Sequence, residues 1–370
     1  MIQGGAQENT LLTLQGLKRD TPWEIHLAFG PEIGEEGSLV EAARATGITL
    51  DPLRFLRRNL DPWNDLRACR ELIEYFERER FDLVHTHSSK AGILGRIAAR
   101  RAGVPRIMHT IHGLAFDTFQ PAWRRFIYRQ AEQVAAAHCD GIIGVCQTML
   151  DEALAAGIGN RAMLRMIPSG FDLEPFLAVK PRAPDGRFVV GMVARMFEFK
   201  GHEDLMKLAP ALLGEWNDLD LRIVGDGPLR RDWEAWMVEH PQWKSRIQFP
   251  GRVAPRDVAA EMERMDMILH LSWREGLARS IPQALAARRP VCVYDAGGAR
   301  EIVRRGETGW ILPPGDLRGV IEAIRTIKRD PEVARAAAER GCERVKKLFA
   351  VEAMQRAILN LYRESGLVVP

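Results

Sequence analysis

The chain has 370 residues, a length that favours two domains over one. Hydrophobic residues at 46% and charged residues at 27% are ordinary for a globular protein, and the net charge of +3 points to no particular partner. No apolar run approaches the ~20 residues that span a bilayer, and the polar start MIQGGAQENT lacks the basic segment of a signal peptide.

In chain order, Gly4-Gly5-Ala6-Gln7 leads into a helix expected over Glu8–Lys18. Strands follow at Trp23–Phe29, Phe81–Thr86, Arg106–Ile111, Gly141–Val145 and Met163–Ile167. Helices lie between them at Ser38–Thr46, Trp63–Arg78, Ala91–Ala102, Ala122–His138 and Thr148–Ala156. This alternation predicts an α/β fold with a parallel sheet covered on both faces. Prolines at 168, 175, 181 and 184 mark a connection between domains. A second alternating set has strands at Phe188–Val193, Leu219–Val224, Ile247–Phe249, Met267–Leu271, Val291–Tyr294 and Trp310–Leu312, with glycine turns at 225–227 and 297–298. The tail Val351–Arg363 reads as an amphipathic helix. The five cysteines are odd in number and never in C-x-x-C spacing, so they read as buried thiols in a reducing cytoplasm.

Charge is unevenly spread. Between Thr86 and Arg129, eight lysines and arginines face a single acid, Asp117. Solvated helix faces account for this most simply. The functional alternative is a surface for anionic lipid or a pyrophosphate-bearing acceptor. Nucleic acid is a weaker alternative, because no nucleic-acid motif accompanies the charge.

The most informative stretch is WREGLARSIPQALAARRP, from Trp273 to Pro290. It follows the apolar run Met267–Ser272, turns at Gly276, and enters a helix expected to start at Ile281 behind a Ser280/Gln283 capping box. A strand, a glycine turn and a helix start present unpaired N–H groups to an anion, above all a phosphate. The stretch resembles the donor-site signature of the family-four retaining glycosyltransferases: Glu275-Gly276, then Pro282, with Gln283 where the family has a second acid. VARMFEFKG, carrying Arg195 and Lys200, is similar to the family's Gly-Arg-Leu…Lys-Gly motif, with Ala194 in the first glycine position.

The resemblance implies two doubly wound Rossmann-like domains facing a cleft, the GT-B fold. Its parts are an acceptor-binding domain over 1–170, a linker over 171–186, a nucleotide-sugar domain over 187–348, and a final helix in 349–370 that crosses back to the first domain. It implies retaining transfer of a sugar from a nucleotide diphosphate sugar to a saccharide or lipid-linked acceptor in envelope or exopolysaccharide synthesis. Arg195 and Lys200 would bind the donor diphosphate, Glu275 and His112 would contact the sugar, and Gln283 would meet the ribose. Arg252 and Val253 would lie under the base, while Gly4, Gly5, Gly276, Leu277 and Ala278 would line the donor. His87, Ser88 and Lys90 fall on the acceptor side. The donor is a substrate, with UDP favoured over GDP. No cofactor or metal is implied: His85 and His87 share one strand face but have no third ligand nearby, and Asp218-Leu-Asp220 precedes its strand. The expected place is the cytoplasm, with the inner face of a membrane as an option.

Two alternatives stand beside this. One is a nucleotide-sugar 2-epimerase of the same architecture, and the other is a catalytically weak donor-binding protein. In the resembled family a first central strand precedes the Gly-Gly turn, whereas only Met1-Ile2-Gln3 does here. The natural product is therefore expected to start upstream, with an added apolar strand of about 5–6 residues.

Overall fold

Parallel strands alternate with helices along the whole chain in the computed structural model, which describes residues 4–31 and 37–367. Met1–Gln3, on which the expectation of an upstream strand rests, lie outside the described residues. The chain divides into two compact units, residues 1–171 with 351–370, and residues 172–350.

Unit 1 runs α1 (Gly5–Asp20), β1 (His26–Phe29), α2 (Val40–Arg44), β2 (Thr49–Pro52), α3 (Pro62–Glu79), β3 (Leu83–His87), α4 (Ser89–Arg101), β4 (Arg106–Ile111), α5 (Ala122–Ala136), β5 (Gly141–Gly144), α6 (Gln147–Ala155) and β6 (Leu164–Met166). Strands β3-β4-β5-β6 form one parallel sheet, while β1 and β2 pair separately. The first helix starts at Gly5, earlier than expected. The strand expected from Trp23 starts only at His26.

Strand β2 escaped the sequence because TLDP has no apolar alternation and ends in proline. Polar pairing holds it instead: Asp51 Oδ2 accepts from Tyr75 Oη at 2.8 Å and lies 2.9 Å from His26 Nδ1 on the paired strand. Helix α3 follows local rules more closely. Asp61 accepts from the backbone N–H groups of Trp63 and Asn64, Pro62 occupies the first turn, and the helix ends at Arg80 in the left-handed region.

Unit 2 continues with α7 (Glu174–Leu177), β7 (Phe188–Val193), α8 (His202–Glu215), β8 (Leu219–Val224), α9 (Arg230–Glu239), β9 (Ile247–Gly251), α10 (Val258–Glu263), β10 (Met267–His270), α11 (Ser280–Ala286), β11 (Val291–Tyr294), α12 (Ala299–Ile302), β12 (Trp310–Leu312), α13 (Leu317–Arg329) and α14 (Pro331–Leu348). Its sheet has the order β12-β11-β10-β7-β8-β9, all parallel. Val190, Met192, Leu221, Ile223 and Leu269 share one face of the sheet and pack with Leu208 and Leu212 of α8, Trp233 of α9 and Ile324 of α13. Residues 172–186 pack on this unit, with Phe176 buried and the Arg289 guanidinium donating to the Lys180 carbonyl.

The last helix, α15 (Val351–Glu364), belongs to unit 1. Its Met354, Ile358, Leu361 and Tyr362 share a core with Leu11 and Leu17 of α1. Gln355 donates to the Leu12 carbonyl at 2.6 Å. Four of the five cysteines are buried and Cys69 is partly so, all as free thiols.

Candidate active site

The strand order of unit 2 places β7 beside β10, with β8 and β9 on one flank and β11 and β12 on the other. The winding direction reverses between these two strands. The loops leaving their carboxyl ends therefore border the crevice where open α/β sheets bind ligands.

The loop after β7 carries Ala194 to Gly201, and the loop after β10 carries Leu271 to Arg279. The two are laced together: the Phe199 carbonyl accepts from the Trp273 N–H at 2.8 Å and from Ser272 Oγ at 3.0 Å. Gly201, at φ +86°, lets the first loop turn into α8 directly against β10. A Cβ there would stand 2.2 Å from the Leu271 carbonyl oxygen.

This lacing brings Lys200 to Glu275, 75 positions away, with Nζ 2.6 Å from Oε1. His270 at the end of β10 lies 3.5 Å from the same oxygen, and its Nδ1 is 3.1 Å from Ser280 Oγ. Burial alone would raise the Glu275 pKa. The neighbouring His270 imidazole and the Lys200 ammonium outweigh it and hold the carboxyl at about 2, below its ordinary 4.5. Beneath, Gly297 at φ +54° permits close backbone contact. A Cβ there would meet the Glu275 carbonyl oxygen at 2.3 Å, and Gly298 N–H donates to the Gly276 carbonyl at 2.8 Å.

Since the folded pKa is lowered, the stabilisation from Glu275 is present above pH 4.5 and lost as pH falls through about 2. Its size is roughly 3 kcal/mol at 1.36 kcal/mol per unit. Unfolding free energy should therefore fall across that window, and more steeply in the wild type than in Glu275→Gln. Equal slopes in denaturant titrations at several pH values would refute the ion-pair account.

Arg195 follows β7 directly. It is exposed, and its guanidinium lies 5.2 Å from the Phe197 ring centre. Leu277 and Ala278 complete the turn into α11. The expected capping box is not formed. Helix α11 starts at Ser280 behind Arg279, so Ser280 is already inside the helix and its hydroxyl turns to His270. Gln283 is half-buried one turn on, and among the described residues its side chain makes no hydrogen bond. Gly251 ends β9 at φ +78°, followed by exposed Arg252 and half-buried Val253. Asp218 and Asp220 lie at the opposite, amino end of β8, paired with Lys328 and Arg187 respectively.

In unit 1, His87 ends β3 and His112 follows β4, and their Nδ1 and Nε2 atoms are 3.0 Å apart. His85 and His87 share one strand face, with ring centres 4.3 Å apart, as the spacing predicts. Burial lowers the pKa of all three, to about 3 for His85 and about 4 for His112, so each imidazole is neutral near pH 7. Ser88 adopts φ +67° before α4, and the Lys90 ammonium is held by Asp65 and the Asn59 carbonyl. Gly4 and Gly5 form the start of α1.

Sequence reasoning missed Asp204. This buried carboxylate accepts from Trp273 Nε1 at 2.7 Å and Tyr294 Oη at 3.1 Å, and it fixes the indole that opens the β10 loop. It was not legible, because Asp204 in the first turn of a helix looks like an ordinary dipole partner. His270 had a fainter signal as the polar member of an apolar strand.

Two units of parallel α/β winding, one carrying a cation–carboxylate pair at its switch point, fit the GT-B architecture. Two family models match: the glycosyl transferase 4-like domain over residues 4–170 and glycosyl transferases group 1 over residues 174–344. The chain belongs to this glycosyltransferase family and is an enzyme of that type. It is 28% identical to the UDP-Gal:alpha-D-GlcNAc-diphosphoundecaprenol alpha-1,3-galactosyltransferase of Escherichia coli, over 74% of this chain and 73% of that protein. It is 21% identical to the capsular polysaccharide biosynthesis glycosyltransferase CapM of Staphylococcus aureus, over 83% of each. In fold it is similar to Anabaena HepE, solved in complex with UDP, with a TM-score of 0.78, 20% identity and 98% of each chain covered. The 2-epimerase alternative finds no support: the matched families and these curated relatives are transferases.

Proposed function

We propose that the protein transfers a sugar, with retention of anomeric configuration, from a UDP-sugar to a lipid-linked saccharide acceptor in cell-envelope or exopolysaccharide synthesis. The Lys200–Glu275 pair at the switch point carries this reading. An ammonium and a carboxylate held 2.6 Å apart can serve a leaving diphosphate and the sugar attached to it. UDP is favoured over GDP because the Escherichia coli relative is named for UDP-Gal and HepE was solved with UDP. The acceptor class follows the diphosphoundecaprenol of that same relative.

In this reading Arg195 and Lys200 neutralise the diphosphate as the bond from the anomeric carbon to its oxygen breaks. The acceptor hydroxyl forms the new bond on the same face and passes its proton to the departing phosphate oxygen. N–H groups of Gly276, Leu277 and Ala278 face the phosphates, and Glu275 accepts from the sugar hydroxyls. Arg252 and Val253 support the base. Gly4 and Gly5 are assigned to the donor, neutral His112 to the sugar, and His87, Ser88 and Lys90 to the acceptor side. The protein cations supply the charge that a divalent metal supplies elsewhere, so chelator should leave turnover unchanged. The enzyme works in the cytoplasm, at the inner face of the membrane.

Gln283 replaces an acid, and its unengaged amide can both donate to and accept from ribose hydroxyls. Gln283→Ala should weaken donor binding by ~1 kcal/mol, the scale of a neutral hydrogen bond. Calorimetry showing unchanged affinity would remove it from the donor site. The function itself is tested by incubating the protein with a panel of UDP- and GDP-sugars, with and without a polyprenyl-diphosphate saccharide. Transfer from a UDP-sugar supports the proposal. Donor binding without turnover would instead favour a catalytically weak binding protein.

A further inference from the structure

Helix α5 and the first turn of α3 leave large apolar side chains in solvent. On α5, Trp123 is 67% exposed, Phe126 56%, Ile127 54% and Val134 55%. Helical spacing puts all four on one face. The opposite face is buried through Glu132, Ala135 and Ala136, with Glu132 paired to Arg96 at 2.6 Å. The same spacing sets Arg124 and Arg129 on the two borders of the apolar stripe, and positions 118–131 contain no Asp or Glu. On α3, Trp63 is 77% exposed, with Leu66, Arg67 and Arg70 exposed beside it.

Helix α4 packs between α3 and α5, and Lys90 in its first turn pairs with Asp65 in the first turn of α3. In parallel βα units each helix starts near the carboxyl edge of the sheet. The apolar turns therefore border the edge on which His87 and His112 lie. Several large apolar side chains grouped on one helix face in solvent mark an interaction surface. An apolar stripe with arginines on both borders matches a helix lying in the surface of an anionic bilayer. Its apolar side chains enter the acyl boundary while its guanidinium groups reach the lipid phosphates. Tryptophan, apolar in body with one polar N–H, suits that boundary.

We propose that this face, α5 with the start of α3, docks on anionic phospholipid and brings the His87–His112 edge to the membrane surface. The proposal rests on the reading that the acceptor is lipid-linked, and it deepens that reading by assigning the membrane to a particular surface.

The test is co-sedimentation of the full chain with phosphatidylglycerol–phosphatidylcholine vesicles and with phosphatidylcholine alone. The wild type should bind the anionic vesicles, and high salt should weaken the binding. The triple variant Trp123→Ser, Phe126→Ser, Ile127→Ser and the double variant Arg124→Glu, Arg129→Glu should each lose binding on the order of tenfold or more. Absent wild-type binding, or binding that neither variant changes, overturns the proposal. So does a wild-type dimer that ignores vesicles and becomes monomeric in the serine variant, which would give the face to a second copy. Hydrolysis of a UDP-sugar without vesicles should be equal in the wild type and both variants. Failure of the wild type in that assay would count against the transferase chemistry and leave the vesicle result standing.

Discussion

Lys200→Ala is expected to lower turnover by ~10² to 10³ with the fold intact, the usual cost of removing one preorganised charge stabiliser. The ammonium sits at the switch point, 2.6 Å from Glu275 Oε1 and 3.4 Å from the Arg274 carbonyl. It is fixed before any donor arrives, so no reorganisation is needed when charge develops on the leaving diphosphate. Arg195→Ala should have a comparable effect. The double variant should lose less than the product of the two, because both cations act on one developing charge. Lys200→Ala also leaves Glu275 with one cationic neighbour fewer, so its carboxyl should become easier to protonate. Near-normal kcat in both single variants would overturn the assignment of the site.

Gly201→Ala is expected to damage stability and activity together, because this residue joins the two loops. Its φ of +86° disfavours any Cβ, and the added atom would lie 2.2 Å from the Leu271 carbonyl oxygen and 2.5 Å from its carbonyl carbon. Left-handed strain costs about 1–2 kcal/mol, and forcing an atom into packed space costs another 1–3 or so. Together these lower Tm on the order of 10 °C in a unit of this size. The displaced backbone is that of Leu271, between β10 and Ser272, so Lys200 and Glu275 should also move apart. Gly214→Ala is the control. It lies near the end of α8, with no atom within 4 Å of an added Cβ, and should be neutral or slightly stabilising. Thermal unfolding of Gly201→Ala within error of the wild type would show that the loops are not packed as described.

Much of this was legible locally. Alternating short apolar runs and amphipathic stretches reveal parallel βα units, since each period is set by the geometry of its own segment. The Arg195…Lys200 and Glu275-Gly276 segments stood out through their resemblance to the family's donor motifs, because charge at a strand end is by itself too common to mark a site. The Ser280/Gln283 box misled, because a Ser-x-x-Gln pattern describes a helix start only if the serine lies outside the helix. Here α11 begins one residue earlier, and His270 offers the hydroxyl a buried partner instead. A nearby imidazole on a strand outcompeted a local backbone bond, and a spacing of ten residues does not by itself reveal that contact.

The sequence by itself therefore determined the class of fold, the order of its elements and the segments that carry charge, because these follow from short-range periodicity and turn chemistry. Only the tertiary structure decided what those segments touch. The adjacency of β7 and β10 depends on strand pairing across two intervening strands and their helices. From that adjacency come the Lys200–Glu275 pair, the lacing of Phe199 to Trp273, and the grip of Asp204 on Trp273 and Tyr294. The exposed stripe on α5 is a further case: Trp123, Phe126 and Ile127 face solvent, while Glu132, Ala135 and Ala136 on the opposite face are buried. Period reveals that a helix has two faces, but which one is buried depends on the neighbours it meets.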